Sequence, residues 1–177
     1  MALQDSEILF AFTKKAPGDY HELPVLISGK ESVNEKGHEF VLLKQNDKIQ
    51  KVFEIRYSTS GGPYKEAVIF NNLLIVGHYQ FVYIYDLLQS IPILRMEISG
   101  YFGHIYIDGD KFYVSDAGSI YCFNNRARIL WRNNTLGIDG VFISDFTDQE
   151  INGSGQWDPP DGWRDFILDK ETGYKIS

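Results

Sequence analysis

Apolar and polar positions in this chain fall into short runs punctuated by turn residues, and no window sustains a helical period. Runs rich in β-branched and aromatic residues predict strands over 7–13, 40–44, 51–57, 67–70, 73–77, 81–86, 93–98, 104–107, 111–115, 119–123, 128–132, 140–144 and 164–168. Asn71-Asn72, Asp108-Gly109-Asp110, Ala117-Gly118, Asn124-Asn125, Asn133-Asn134 and Asp139-Gly140 mark turns between them. The best helical stretch, 87–90, is about one turn long. The chain is therefore predicted to be all-β.

An internal repeat refines the expectation. A shift of thirty-eight positions carries Ile75-Val76-Gly77 onto Tyr113-Val114-Ser115, and Val82-Tyr83-Ile84-Tyr85-Asp86 onto Ile120-Tyr121-Cys122-Phe123-Asn124. Each unit reads as an entering strand, a tight turn, two central strands and a closing strand, which is a four-stranded antiparallel meander. The central strands are apolar on both faces, with Val82 and Ile84 on one side and Phe81, Tyr83 and Tyr85 on the other. A sheet with one wet face alternates instead, so these sheets are expected to be covered on both sides.

The run Ser115-Asp116-Ala117-Gly118-Ser119-Ile120-Tyr121-Cys122-Phe123-Asn124, followed by Arg128-Ile129-Leu130-Trp131, resembles the blades of bacterial quinoprotein-like β-propellers. The resemblance covers about residues 66–137 and implies propeller-like antiparallel meanders. The length leaves room for about four blades or an open arc, with a β-sandwich as the alternative. The expected organisation is one domain over residues 1–177, with repeat units near 66–100 and 101–137 and an acidic closing segment, 138–177.

Charge sets that closing segment apart. Residues 138–177 hold nine acids (Asp139, Asp145, Asp148, Glu150, Asp158, Asp161, Asp165, Asp169 and Glu171) against three bases, Arg164, Lys170 and Lys175. The rest of the chain is nearly balanced, so almost the whole net charge of −7 gathers here, together with Trp157 and Trp163. Such a chain is a poor candidate for direct nucleic-acid binding, which needs clustered Lys and Arg to displace counterions. The first residues lack a basic and then apolar leader, and no apolar run is long enough to span a bilayer, so a cytoplasmic protein without membrane contact is expected.

Catalytic signatures are weak. Neither His21-Glu22 nor His38-Glu39 has a second histidine at zincin spacing, and no nucleophile elbow, phosphate loop or dinucleotide fingerprint occurs. Asp108-Gly109-Asp110 with Asp116 fails calcium-loop spacing and is read as a hairpin turn. His78 is read as a surface or turn residue, and the single cysteine, Cys122, as a buried inert thiol. No catalytic residue, metal or cofactor is predicted.

Small acidic β-proteins of this kind resemble, at the level of class, the immunity partners of bacterial toxins, including those of contact-dependent inhibition systems. The resemblance implies a non-enzymatic module that blocks a basic, nuclease-type toxin. Charge would speed the encounter, and aromatics would slow release. The predicted contact residues are Asp139, Asp145, Asp148, Glu150, Trp157, Asp158, Asp161, Trp163 and Asp165. The same acids and tryptophans also fit a carbohydrate-binding protein or glycoside hydrolase.

Overall fold

A computed structural model describes residues 8–18, 20–29, 37–58, 62–158 and 162–177. Asp161, one of the predicted contacts, lies outside them, as do Pro159, Pro160 and the start of the first predicted strand. The described residues form strands and turns with no α-helix among them. Contacts divide the chain into two compact units, Met1–Ser60 and Gly61–Ser177.

The first unit is one four-stranded sheet of β1 (Ile8–Thr13), β2 (Val25–Leu26), β3 (Gly37–Gln45) and β4 (Lys48–Tyr57), in the order β1-β3-β4-β2. The long β3–β4 hairpin turns at Asn46-Asp47, both at positive φ, a conformation that Asn and Asp tolerate better than most side chains. The short β2 pairs parallel with β4, so this sheet is not a plain meander. Phe40, Leu42 and Val52 form its core, with Ala11, Tyr20 and Ile49 against them.

The second unit carries the repeat. Strands β5 (Lys65–Phe70), β6 (Leu73–His78), β7 (Phe81–Asp86) and β8 (Ile91–Glu97) form one meander. A second contains β9 (Phe102–Asp108), β10 (Lys111–Asp116), β11 (Ile120–Asn124) and β12 (Ile129–Asn133). A third contains β13 (Val141–Phe146), β14 (Glu150–Trp157) and β15 (Gly162–Asp169). Pairing within all three is antiparallel, and the predicted repeat register is the observed one.

Burial explains why central strands are apolar on both faces. Ile75, Val82 and Ile84 of one sheet share a cluster with Phe102, Phe112, Val114 and Phe123 of the next. The opposite face of that second sheet presents Tyr113, Ile120, Cys122 and Trp131 to Val141, Ile143, Ile151, Phe166 and Leu168 of the third. Fully burying each large apolar side chain is worth about 1.5–3 kcal/mol, so sheet stacking dominates the stability of this unit. Cys122 is fully buried, and burial pushes its thiol up to about 11. The native protein is expected to leave this thiol unreacted with a disulfide reagent at pH 8 and to expose it on denaturation. Rapid labelling of the native state would contradict the packing.

The third strand of each meander ends on a side chain that caps the following turn. Asp86 Oδ1 accepts the N–H groups of Leu88 and Gln89 at 2.8 Å each. Asn124 Oδ1 accepts those of Arg126 and Arg128 at 3.0 Å each. Asp169 Oδ1 accepts the hydroxyl and N–H of Thr172 at 2.6 and 2.8 Å. The Gln89 N–H is the main cause holding the Asp86 carboxyl below its ordinary range, and the Thr172 hydroxyl does the same for Asp169. Carboxyls lowered in the folded state add stability above their unfolded value of about 3.9 and lose it as pH falls through the folded value. The melting temperature is therefore expected to decline steadily below about pH 4, and Asp86→Asn should flatten that decline.

Several findings depart from the sequence reading, the unpredicted parallel strand β2 among them. His78 is buried, 1% exposed, with its ring against Tyr79 at 4.2 Å, because the end of β6 lies inside the sheet stack rather than at a surface turn. The strand β14 was not predicted, since Glu150-Ile151-Asn152-Gly153-Ser154-Gly155 has little β-propensity. Its glycines are there for close approach. A Cβ on Gly155 would stand 1.8 Å from the Leu136 carbonyl oxygen, and one on Gly153 would stand 2.4 Å from that of Phe142.

The third sheet also differs in patterning. Aligning the capping residues Asn124 and Asp169 places Asn152, Asp165 and Ile167 where the second sheet has Tyr113, Ile120 and Cys122. Those second-sheet positions are buried, whereas β14 alternates between buried and half-buried residues. The face of the third sheet turned away from the second is therefore mixed, with Asn152, Ser154, Gln156 and Asp165 beside Phe142, Trp163 and Ile167. Beyond β15 the chain turns back beside it. The Ile176 N–H donates to the Ile167 carbonyl at 2.7 Å, and Lys175 bridges to Leu168.

Candidate functional site

The strands β5, β9 and β13 each open their meander, and residues at their starts line a cavity of about 500 Å³. Such a volume lies in the range of ordinary ligand pockets. Tyr64 directly precedes β5, Tyr101 directly precedes β9, and Asp139-Gly140 leads into β13, so three strand entries supply much of the wall. His104 and Phe142 lie within the first three residues of β9 and β13, and Trp163 at the start of β15.

The loop before β13 is held by backbone bonds. The Ile138 N–H donates to the Gln156 carbonyl, the Gly140 N–H to that of Ala117, and the Gln156 N–H to that of Gly140, each at 2.8 Å. In register, Gly140, Gln156 and Trp163 form one cross-strand row, and Phe142, Ser154 and Asp165 form a row further along the sheet on the same face. A Cβ on Gly140 would lie 3.3 Å from the edge of the indole, so the missing side chain is what lets Trp163 lie over the strand entry. Trp163 is 55% exposed and Phe142 45%.

Aromatic contact is continuous along one wall. The Tyr64 ring lies 6.3 Å from Tyr101 and 5.3 Å from His104, and His104 lies 6.3 Å edge-on from Phe142. Carboxylates face or back this wall. The Tyr101 hydroxyl donates to the Asp139 carbonyl at 2.5 Å and to its carboxylate at 3.3 Å. Burial first, and Asp139 second, push that phenol above its ordinary range. Glu66 Oε2 accepts the Ile105 N–H at 2.9 Å and lies 3.7 Å from His104 Nδ1.

Asp116, also on the cavity lining, has a structural task. Its carboxylate accepts N–H groups from Ser99, Gly118 and Ser119 at 3.1, 2.9 and 2.6 Å, and the Tyr121 hydroxyl at 2.9 Å. Burial and then Asp116 push the Tyr121 phenol up to about 12. Asp116→Ala would strand the buried Ser119 N–H and Tyr121 hydroxyl, and leaving buried donors unmet costs about 1–3 kcal/mol for each. A marked fall in the thermal midpoint is expected by circular dichroism, and an unchanged midpoint would refute the structural role.

The predicted contact residues divide between the two ends of the third sheet. Asp139 and Trp163 line the cavity, Asp165 sits beside them on the outward face, and Trp157 and Asp158 close the same end of β14. Trp157 is half-buried, with the Arg164 guanidinium 5.6 Å from its ring. Asp145 lies toward the far end of β13, Asp148 sits in the β13–β14 turn and Glu150 opens β14. None of these three acids is among the residues that line the cavity. Near that far end, Lys170 Nζ contacts Asp108 at 2.5 Å and the Thr147 carbonyl at 2.7 Å, which offsets the local negative charge.

Tyr64, Tyr101, His104 and Phe142 were not singled out from sequence. An aromatic residue directly before the first strand of both repeat units, Tyr64 and Tyr101, was the available signal. Their convergence depends on how the sheets stack. Among the described residues, no three His, Cys, Asp or Glu side chains gather as a metal set would.

No family model matches the chain, and no curated protein matches it. Solved structures do. BamB from Moraxella catarrhalis superposes with a TM-score of 0.54 at 16% identity, covering 78% of this chain and 42% of that one. Hydrazine synthase of Kuenenia stuttgartiensis superposes with a TM-score of 0.57 at 13% identity, covering 92% and 52%. The antiparallel meanders are propeller-like. At such identities the likeness is one of fold, and the chain spans about half the length of the structures it matches.

Proposed function

We propose that the protein is a non-enzymatic binding module that receives a basic protein, and that it serves as an immunity protein covering the active site of a nuclease-type toxin. One observation carries the reading: Trp163 and Phe142 stand half-exposed beside Asp139 and Asp165, on a sheet face that also carries Asn152, Ser154 and Gln156. Exposed aromatics supply the contact area that slows dissociation, and the surrounding carboxylates speed encounter with a cationic surface. The cavity end, rather than the whole acidic segment, is the proposed contact region.

The test is purification of the protein with the polypeptide encoded beside its gene, followed by measurement of complex formation and of that polypeptide's toxicity. The reading predicts a complex whose affinity falls steeply with salt, and loss of toxicity on co-expression. A neighbour that neither binds nor is neutralised sinks it. A second reading, carbohydrate binding, is favoured by the same cavity, since an exposed indole beside a carboxylate suits a sugar face. Saturable binding of a neutral oligosaccharide, insensitive to salt, would decide for it.

A further inference from the structure

We infer that the cavity is a receptor for an arginine side chain of the basic partner, a ligand class that rests on the binding-module reading above. Three features of the geometry converge on a planar cation. The wall from Tyr101 through Tyr64 and His104 to Phe142 is aromatic throughout, and Trp163 adds its indole to the lining beside Gly140. A guanidinium stacks on such ring faces and is less strongly hydrated than an ammonium, so its transfer from water costs less.

Asp139 supplies the counter-charge. Asp139 is a lining residue whose carboxylate accepts from the Tyr101 hydroxyl, and a carboxylate accepts a guanidinium through paired N–H groups. Glu66, held behind His104 by the Ile105 N–H, adds negative potential from within the sheet stack. The nearby cations of the chain itself are engaged on other rings. Lys65, which follows Tyr64, lies over Tyr79 at 4.8 Å, and Arg164, which follows Trp163, lies over Trp157. The protein already uses this contact at Arg132 over Tyr121 and Arg95 over Phe81, both at 4.8 Å.

The experiment titrates a blocked peptide of three arginines spaced by glycines into the full chain, reading indole and backbone amide resonances by NMR. Parallel titrations use the same peptide with citrulline, a neutral isostere, with lysine, and a neutral oligosaccharide. Expected are saturable shifts at Trp163 and at the entries to β9 and β13, with binding at least about ten-fold weaker for citrulline and weaker for lysine. Asp139→Asn and Trp163→Phe, each with an unchanged melting curve, should each lose a similar factor. Equal binding of the citrulline peptide, a lysine peptide that binds as well, shifts confined to residues away from the cavity, or oligosaccharide binding in its place would each overturn the inference. If the basic partner still binds the Asp139→Asn variant at full affinity, the arginine receptor fails while the binding-module reading stands. If the arginine peptide fills the cavity and no basic protein binds, the module reading alone fails.

Discussion

Gly155→Ala is expected to destabilise the protein by about 3 kcal/mol or more, seen as a fall of roughly 6–12 °C in the melting temperature. The added methyl would be placed 1.8 Å from the Leu136 carbonyl oxygen and 2.7 Å from its carbon. Both obstacles are backbone, so no side-chain rotation relieves the clash. Leu136 itself is buried in the cluster between the second and third sheets, and its N–H donates to the Gly118 carbonyl, so it has little room to yield. Gly18→Ala is the matched control, because a Cβ there meets nothing within 4 Å. If the two variants melted alike, the close approach of β14 to the chain before β13 would be wrong.

Trp163→Ala is expected to weaken binding of the basic partner by about 2 kcal/mol or more, roughly thirty-fold, mostly through faster dissociation. The side chain is half-exposed and lies over Gly140, so its removal opens the cavity without leaving a hole in the core. The thermal midpoint should move little. Asp148→Asn, at the far end of the third sheet, should leave affinity within two-fold, while Asp165→Asn should weaken it and reduce its salt dependence. Surface plasmon resonance at two ionic strengths separates these outcomes. Equal losses at Asp148 and Asp165 would place contact along the whole acidic segment instead of the cavity end.

How far the residues alone carried the reading follows from the physical signal each left. The meanders of β5–β8 and β9–β12 were legible because burial on both faces forces apolar residues at successive positions, as in Phe81-Val82-Tyr83-Ile84-Tyr85. β14 was illegible because its glycines answer to the Leu136 and Phe142 carbonyls, neighbours that local propensity does not report. Asp116 read as part of a weak acidic motif, whereas the stack turns it into a buried acceptor of four hydrogen bonds. His78 was assigned to a surface turn for the same reason, since strand ends buried by stacking look like any other strand end in sequence.

The candidate site divides in the same way. Acidic excess and two tryptophans after Ile138 are compositional facts, and they pointed to Asp139, Asp165 and Trp163 without any coordinates. Composition carries no direction, however, and it placed Asp145, Asp148 and Glu150 in the same patch. Strand register separates them, because antiparallel pairing carries the two ends of β14 apart. Sequence by itself determined the all-β class, the repeat and the sign of the charge, since these are written in local periodicity and counts. Tertiary structure alone decided that three strand entries meet around one cavity, that Tyr64, Tyr101, His104 and Phe142 line it, and that Trp163 stays open to solvent. Those are distances between residues far apart in the chain, set by how each twisted sheet packs on the next.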